Sequence, residues 1–423
     1  MRIVHIDKLK ADMVLAEDVR DVNGRLLLAK KEQIQSNHIR IFKMWGISEV
    51  FVSGGNGRDG DPESSTEHSH EHSPEESPED SIDTEMFDKI SDQTRSCFKH
   101  KDLLHPAMKE LFRLSVAFRY RHNIFEENIR IESADDGDQK THILNHVRQK
   151  IFEKKIKLPE IPSIVVELNE VIANPYASAN SIADVVKKSP SLTALLLRIV
   201  NSSFYGFPSQ IDSISRAVMI IGTRELANLA LGVSIISVFK DISKEVIDMS
   251  LFLRHSYMCG IISRGLGAHK NLPKTELLFV AGLLHDLGKL IIYQHFPQQA
   301  KVLLKKSMET GRFLHHEEMD CLGCRHTEVG KYLFQQWKLP VELENAVFFH
   351  HNPSLSSNAA YASIVHLADI IVNALRVGTS GERLVPALDR KAWDHLGLSP
   401  RSFKVVIDQA SHQFEPFEAF LKR

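Results

Sequence analysis

The chain has 423 residues, enough at about 150 residues per domain for two or three domains and a large buried core, so a single small module is excluded. Lys+Arg number 52 against Asp+Glu 54, a net charge of −2, and no broad basic field invites a nucleic acid or an anionic membrane. Hydrophobic residues are 43% and charged residues 25%, which fits neither wholesale disorder nor a membrane protein.

The longest apolar stretches, Leu226–Phe239 and Leu277–Leu284, fall short of the ~20 residues of a bilayer span or carry polar residues, so no transmembrane helix is expected. The opening Met1-Arg-Ile-Val-His-Ile-Asp has no continuous apolar core or cleavage site, so secretion is not expected. Four cysteines cannot staple a chain this long and suit a reducing cytoplasm.

Residues 1–54 read as a small α+β domain. Asn23-Gly24 lies between apolar runs and can supply the positive φ angles of a two-residue hairpin. Ser36 through Gly46 offers a polar cap, an amphipathic stretch and a glycine stop, followed by the strand-like Val50-Phe-Val. The expected order is strand, hairpin, helix, strand. Residues 55–85 are rich in Gly, Ser, Pro, Glu and Asp, with too little apolar surface to offset the entropy of ordering, and read as a disordered acidic linker. Its Glu67-His-Ser-His-Glu-His could chelate a metal weakly, but a solvated tether is the simpler account. Residues 86–145 read as a helical connector with a loop at Asp135-Asp-Gly-Asp. From 146 to 423 helix follows helix, punctuated at Pro159, Pro162, Pro190, Pro208, Gly222, Pro273, Pro340 and Pro353. The fold class expected is mainly α.

The sharpest chemical feature is His285-Asp286 within Phe279-Val-Ala-Gly-Leu-Leu-His-Asp-Leu-Gly-Lys-Leu-Ile-Ile. A helix apolar on nearly every side is central, and an unpaired carboxylate there would cost several kcal/mol. Lys289, three residues on, could neutralise Asp286 without any metal. Other helices also turn ligand-type side chains inward. His255 aligns with Met258, Cys259, Ile262 and Leu266; His326 aligns with Val329, Gly330, Leu333 and Trp337. His350, with His351 beside it, continues the stripe of Leu343, Ala346 and Val347, and Asp369 interrupts Ile364-Val-His-Leu-Ala-Asp-Ile-Ile-Val. Any one of these is more often a core residue than a ligand. Together they form an N/O field suited to one or two divalent transition ions, Fe, Mn or similar, with Asp286 placed to bridge them. Such ions polarise phosphoryl oxygens and activate water, and Lys289 is a candidate to hold a phosphate. Cys321-Leu-Gly-Cys324 reads as two incidental thiols, and His315-His316-Glu317-Glu318 as an exposed polar face, although Glu318 could approach the cavity.

On these residues, positions from about 150 to 420 resemble the HD superfamily of metal-dependent phosphohydrolases, and more closely its HDOD branch. The resemblance rests on Leu158-Pro-Glu-Ile-Pro162, on the run Ser189-Pro-Ser-Leu-Thr-Ala to Asn201-Ser-Ser-Phe-Tyr-Gly206, and on Ile211 to Gly222. It continues through the His285-Asp286 motif, the segment His326 to Pro340, and His350-His351. Ser189 stands where the family usually has an acidic residue. The first fifty residues resemble a small domain found ahead of some HD-GYP and HDOD modules.

The resemblance implies a bacterial signalling protein of the cytoplasm acting through other signalling proteins, with a helical HDOD fold. It implies metal ligands at His255, His285, Asp286, His326, His350, His351 and Asp369, with Asp286 and Lys289 as the catalytic candidates. The alternative it leaves open is a phosphodiesterase of a nucleotide or cyclic dinucleotide. Asn352-Pro-Ser-Leu-Ser-Ser replaces the GYP substrate motif, and Leu251 stands where active relatives often place a glutamate. Phe204, Tyr205 and Phe207 could form an exposed docking cluster or pack inside.

Overall fold

The computed structural model describes residues 2–5, 9–10, 12–20, 26–35, 38–39, 42, 49–53, 84–99, 102–125, 147–153, 156–174, 176, 178–201, 210–236, 238–239 and 242–421. The Asn23-Gly24 turn, the acidic stretch with its histidines, the Asp135 loop and the aromatic residues 204–207 lie outside these. The chain divides into two compact units, Met1–Asp92 and Gln93–Arg423.

In the first unit β1 (Arg2–His5) pairs antiparallel with β4 (Glu49–Val52), and β2 (Val19–Arg20) pairs antiparallel with β3 (Leu26–Leu28). The β2–β3 pair is the hairpin expected around residues 23–24, the β1–β4 pairing is added by the structure, and residues 38, 39 and 42 are helical. Side chains alternate along β4: Val50 and Val52 are buried while Phe51 between them is exposed. They join Val4, Leu15, Val19, Leu28, Ile34 and Phe42 in one small core.

The second unit is helical. It contains α2 (Pro106–Arg121), α3 (Val147–Phe152), α4 (Ser163–Ala173), α5 (Ala179–Lys187), α6 (Pro190–Val200), α7 (Ile214–Ile221) and α8 (Thr223–Ile236), preceded by α1 (Thr84–Cys97). Then follow α9 (Met249–His269), α10 (Thr275–Leu284), α11 (Leu287–His295), α12 (Pro297–Thr310), α13 (Leu314–Leu322) and α14 (His326–Gln336). The chain closes with α15 (Val341–Phe348), α16 (Ala359–Leu375), α17 (Arg390–Leu396) and α18 (Arg401–Leu421). Pro190 opens α6 and Pro297 opens α12, positions where a missing backbone N–H costs nothing. Every residue from Glu276 to Leu284 in α10 and from Tyr361 to Leu375 in α16 is buried, so these two apolar helices occupy the centre. Helix α9, capped by Asp248 accepting from the Ser250 N–H at 2.7 Å, packs against both.

The sequence reading treats residues 279–292 as one helix, but the chain breaks at His285-Asp286 into α10 and α11. Two glycines flanking the break set its position. A Cβ on Gly282 would lie 2.5 Å from the Cys259 carbonyl oxygen of α9, and one on Gly288 would lie 1.9 Å from the His326 carbonyl oxygen of α14. Only bare backbone lets the break approach both helices. Replacing Gly288 by Ala is expected to lower unfolding free energy by about 3 kcal/mol or more through overpacking against rigid backbone. Gly311→Ala, where φ is +60° and the added methyl meets nothing, should cost about 1–2 kcal/mol. Urea titrations of the two variants test this; equal losses would contradict it.

Candidate metal centre

The break places His285 and Asp286 side by side at the centre of the second unit. At the end of α10 the His285 Nδ1 lies 2.7 Å from the Gly282 carbonyl oxygen three residues back. The end of α15 repeats the device: His350 Nδ1 is 2.6 Å from the Val347 carbonyl oxygen. His326 Nδ1, at the start of α14, is 2.7 Å from Glu318 Oε2 of α13. Each of these partners can only accept while Glu318 is ionised, so each Nδ1 carries the hydrogen. In the neutral ring Nε2 then turns a lone pair inward.

Those lone pairs converge, with the Nε2 atoms of His255 and His351, on two donor groups that share Asp286. In the first, His255 Nε2 lies 3.4 Å from His285 Nε2 and 3.4 Å from Asp369 Oδ1, and His285 Nε2 lies 3.5 Å from the same oxygen. Asp286 Oδ2 completes this side, 3.2 Å from His285 Nε2. In the second, His326 Nε2 lies 3.4 Å from His350 Nε2 and 3.2 Å from His351 Nε2. Asp286 turns its other oxygen there, with Oδ1 3.2 Å from His326 Nε2 and 3.9 Å from His350 Nε2. Oδ1 is buried and accepts no hydrogen bond among the described residues. Lone pairs facing lone pairs and carboxylate oxygens at these distances repel unless a cation lies among them. The donor set therefore fits divalent transition ions, and groups drawn from it lie within 4.8 Å of one another, as one ion requires.

The charge balance agrees. Burial works against the ionised carboxyls, yet the His285 and Lys289 cations hold Asp286 well below the usual carboxylate range. Bonds from His255 and His285 hold Asp369 down in the same way. Lys289 Nζ donates to Asp286 Oδ2 at 2.8 Å and supplies one positive charge against the two negative ones. With no ion present the remainder falls to His285: burial alone would lower its pKa, but Asp286 and Asp369 hold it at about 10. Burial drives His350 down to about 3 and His351 well below the ordinary imidazole value. Those rings stay neutral and available as donors.

All eight candidate residues meet in this one place. The structure adds others. Glu318 takes the His326 backbone N–H at 2.9 Å as well as its ring, fixing both the backbone and the orientation of that histidine. The polar face expected over His315–Glu318 is corrected: Glu317 and Glu318 are buried. Glu317 is held by Lys306 at 3.1 Å and Arg312 at 3.0 Å, and the run of polar residues gave no sign that Glu317 turns inward. His366 is not in either donor group. Its Nδ1 is 2.7 Å from the His350 carbonyl oxygen and its Nε2 accepts from the Asp389 N–H at 3.0 Å, so it secures the backbone of a neighbour that is. Asn373 donates to Asp369 Oδ1 at 2.7 Å, one turn away on α16. Cys321 and Cys324 are free, buried thiols and belong to neither group.

The HDOD domain pattern matches residues 158–353. An uncharacterized protein of Treponema pallidum (strain Nichols) is 28% identical over 198 residues, 46% of this chain, and the match spans only 38% of that relative. Among solved structures, an HDOD domain protein of unknown function from Geobacter sulfurreducens is 22% identical with a TM-score of 0.51, covering 67% of this chain and 94% of that one. A proposed signal transduction protein from Marinobacter aquaeolei VT8 is 21% identical with a TM-score of 0.51, covering 76% of this chain and 67% of that one. A proposed metal-dependent phosphohydrolase from Shewanella amazonensis SB2B is 17% identical with a TM-score of 0.50, covering 66% and 99%. These likenesses establish the helical fold. Among the described residues no helix is long and apolar enough to cross a membrane.

The titration of the site predicts a pH profile for protein freed of metal by chelator. His350 has a folded pKa near 3 against about 6.5 when unfolded, so below pH ~6.5 the unfolded chain takes up a proton that the folded one refuses. Stability then falls with acidification by up to about 1.4 kcal/mol per pH unit from this ring, and below pH ~4 the depressed Asp286 and Asp369 add to the loss. His285, raised to about 10, stabilises fully below pH ~6.5 and loses that contribution as pH climbs toward 10. Urea midpoints should therefore peak near neutrality and decline on both sides. A flat profile between pH 7 and 5 would contradict the burial of these rings as neutral species.

Proposed function

We propose that this chain, in which residues 158–353 form an HDOD domain, is a bacterial cytoplasmic signal-transduction regulator whose helical module is organised around a divalent-metal centre. In this reading residues 1–54 form a small sensory or docking domain, 55–85 an acidic tether and 86–145 a helical connector. Residues 146–423 form the output module, which acts through contacts with other signalling proteins. His255, His285, Asp286 and Asp369 hold one ion and His326, His350, His351 and Asp286 a second, of the Fe or Mn class. Bound there, such ions supply Lewis-acid chemistry toward a phosphoester.

The observation that carries the regulatory reading is the engagement of Lys289. Its ammonium, the group expected to hold a phosphate, is 3% exposed and already bonded to Asp286 Oδ2 at 2.8 Å and Ser380 Oγ at 3.1 Å. The segment carrying Ser380 is fastened in turn. Tyr293 donates its hydroxyl to the Ser380 carbonyl at 2.7 Å, and the Thr379 N–H bonds to the Leu251 carbonyl at 3.1 Å. A lysine so enclosed serves the balance of charge inside the module.

A second reading, a metal-dependent phosphohydrolase of a nucleotide or cyclic dinucleotide, is favoured by His351. Of the donor residues in the two groups it is the one with part of its surface exposed, although its ring stacks on His315, so the second group is the one nearer solvent, the side from which a phosphoester would approach.

Elemental analysis of the full chain purified without chelator is expected to give one or two transition ions per molecule. Asp286→Ala should lose most of them, and Glu318→Gln should weaken retention about 10–100-fold. A metal-free wild type would overturn both readings. With metal present, a screen of nucleotides, cyclic dinucleotides and generic phosphodiesters is expected to show no turnover. Hydrolysis that His285→Ala abolishes with the fold intact would replace the regulator by the hydrolase.

A further inference from the structure

The first donor group contains an atom that the N/O ligand set leaves out. Cys259 lies one helical turn after His255 on α9, with its side chain on the same face. It is fully buried, and its Sγ is 3.6 Å from His255 Nε2. The sulfur, both imidazole Nε2 atoms and an Asp369 oxygen all lie within 4.8 Å of one another.

Four of the six edges match one coordination shell, and the Cys259···His285 and Cys259···Asp369 edges are within 4.8 Å. Around a tetrahedral ion with bonds of about 2.1 Å to N or O and about 2.3 Å to S, the N···N edge is about 3.4 Å and the S···N edge about 3.6 Å. An octahedral ion with the same bond lengths would require edges nearer about 3.0 Å and 3.1 Å. The observed His255···His285, His255···Asp369 and His285···Asp369 edges are 3.4, 3.4 and 3.5 Å, and the Cys259···His255 edge is 3.6 Å. Asp286 Oδ2 borders this tetrahedron, 3.2 Å from His285 Nε2 and 3.8 Å from His255 Nε2, while accepting from Lys289 Nζ at 2.8 Å.

We propose that Cys259 is a thiolate ligand, completing with His255, His285 and Asp369 a closed tetrahedral site for a borderline-soft divalent ion of the Zn(II) class. This rests on the metal reading above and refines it, because it makes the two donor groups unlike. The first has a sulfur, two nitrogens and an oxygen with every member buried, the composition of a permanent site. The second has only imidazoles and a carboxylate, with His351 partly exposed, and suits an exchangeable ion. Binding at the first site displaces the thiol proton to solvent as the metal–sulfur bond forms.

Cobalt(II) loading of the full chain tests this separately from activity. The expected spectrum has a near-ultraviolet thiolate-to-cobalt charge-transfer band and the strong visible bands of a tetrahedral ion. Cys259→Ser should lose the charge-transfer band and release zinc to a chelator about tenfold more readily or faster, with manganese retention changed less than about twofold. A variant with Cys97, Cys321 and Cys324 all replaced by Ser should keep the band, and it reads the same site should Cys259→Ser fail to fold. Cobalt bound without a thiolate band, or a band that survives Cys259→Ser, would overturn this proposal and leave the metal reading intact. A chain that takes up no cobalt at all would overturn both.

Discussion

The second unit is built around one buried carboxylate. Asp286 is buried, and its two oxygens face different neighbours, one toward His255 and His285 and the other toward His326 and His350. An ionised group in that position costs several kcal/mol unless cations surround it. Lys289 provides part of the compensation from one turn away. The imidazoles provide the rest only if a proton or a metal ion lies between them and the oxygens. The tautomers imposed by the Gly282 and Val347 carbonyls and by Glu318 leave the neutral His285, His350 and His326 rings with Nε2 lone pairs toward the carboxylates, so these rings donate there only when protonated. The site is thus arranged for positive charge in its middle, by backbone geometry as much as by side-chain chemistry.

That arrangement depends on close packing. Gly282 lets the end of α10 lie against the backbone of α9, which carries His255 and Cys259, and Gly288 lets the start of α11 lie against α14, which carries His326. Ligands from helices far apart in sequence are brought within one coordination distance because two Cβ atoms are missing at the point of closest approach. Around them a second layer of polar residues holds the donors in place: Glu318 for His326, Asn373 for Asp369, and His366 for the backbone of His350. Such supporting contacts set ligand orientation and basicity, and they explain why so many polar groups are tolerated inside an otherwise apolar bundle.

Much of this was legible in the sequence, and for a physical reason. A His or Asp inside an uninterrupted apolar stretch must face the core, so the stripes through His255, His326 and His350 and the isolated Asp369 all announce inward-facing donors. In the first unit the hairpin was equally readable from the apolar runs on either side of Asn23-Gly24 and the last strand from Val50-Phe-Val, whereas the pairing of that strand with β1 was not. What spacing does not tell is which inward-facing groups meet. Glu317 and Glu318 sit in a run of polar residues that reads as solvent-facing, with only Glu318 a candidate to approach the cavity, and the tertiary fold buries Glu318 against His326 and Glu317 against Lys306 and Arg312. Cys259 looked like one more apolar residue of its stripe. The break at His285-Asp286 was hidden because the apolar pattern runs through it without interruption, and the packing that imposes it comes from Cys259 and His326, remote in sequence. Ser380 reaches Lys289 across 91 positions, a separation that no periodicity encodes.

The most direct test of this account is the anomalous scattering of crystals of the full chain, recorded at the absorption edges of the metals found in the protein. Two peaks, one on each side of the Asp286 carboxylate and roughly 3.5–4 Å apart, are the expected result. Density that places no ion against either Asp286 oxygen, in crystals of protein that elemental analysis shows to carry metal, would contradict it.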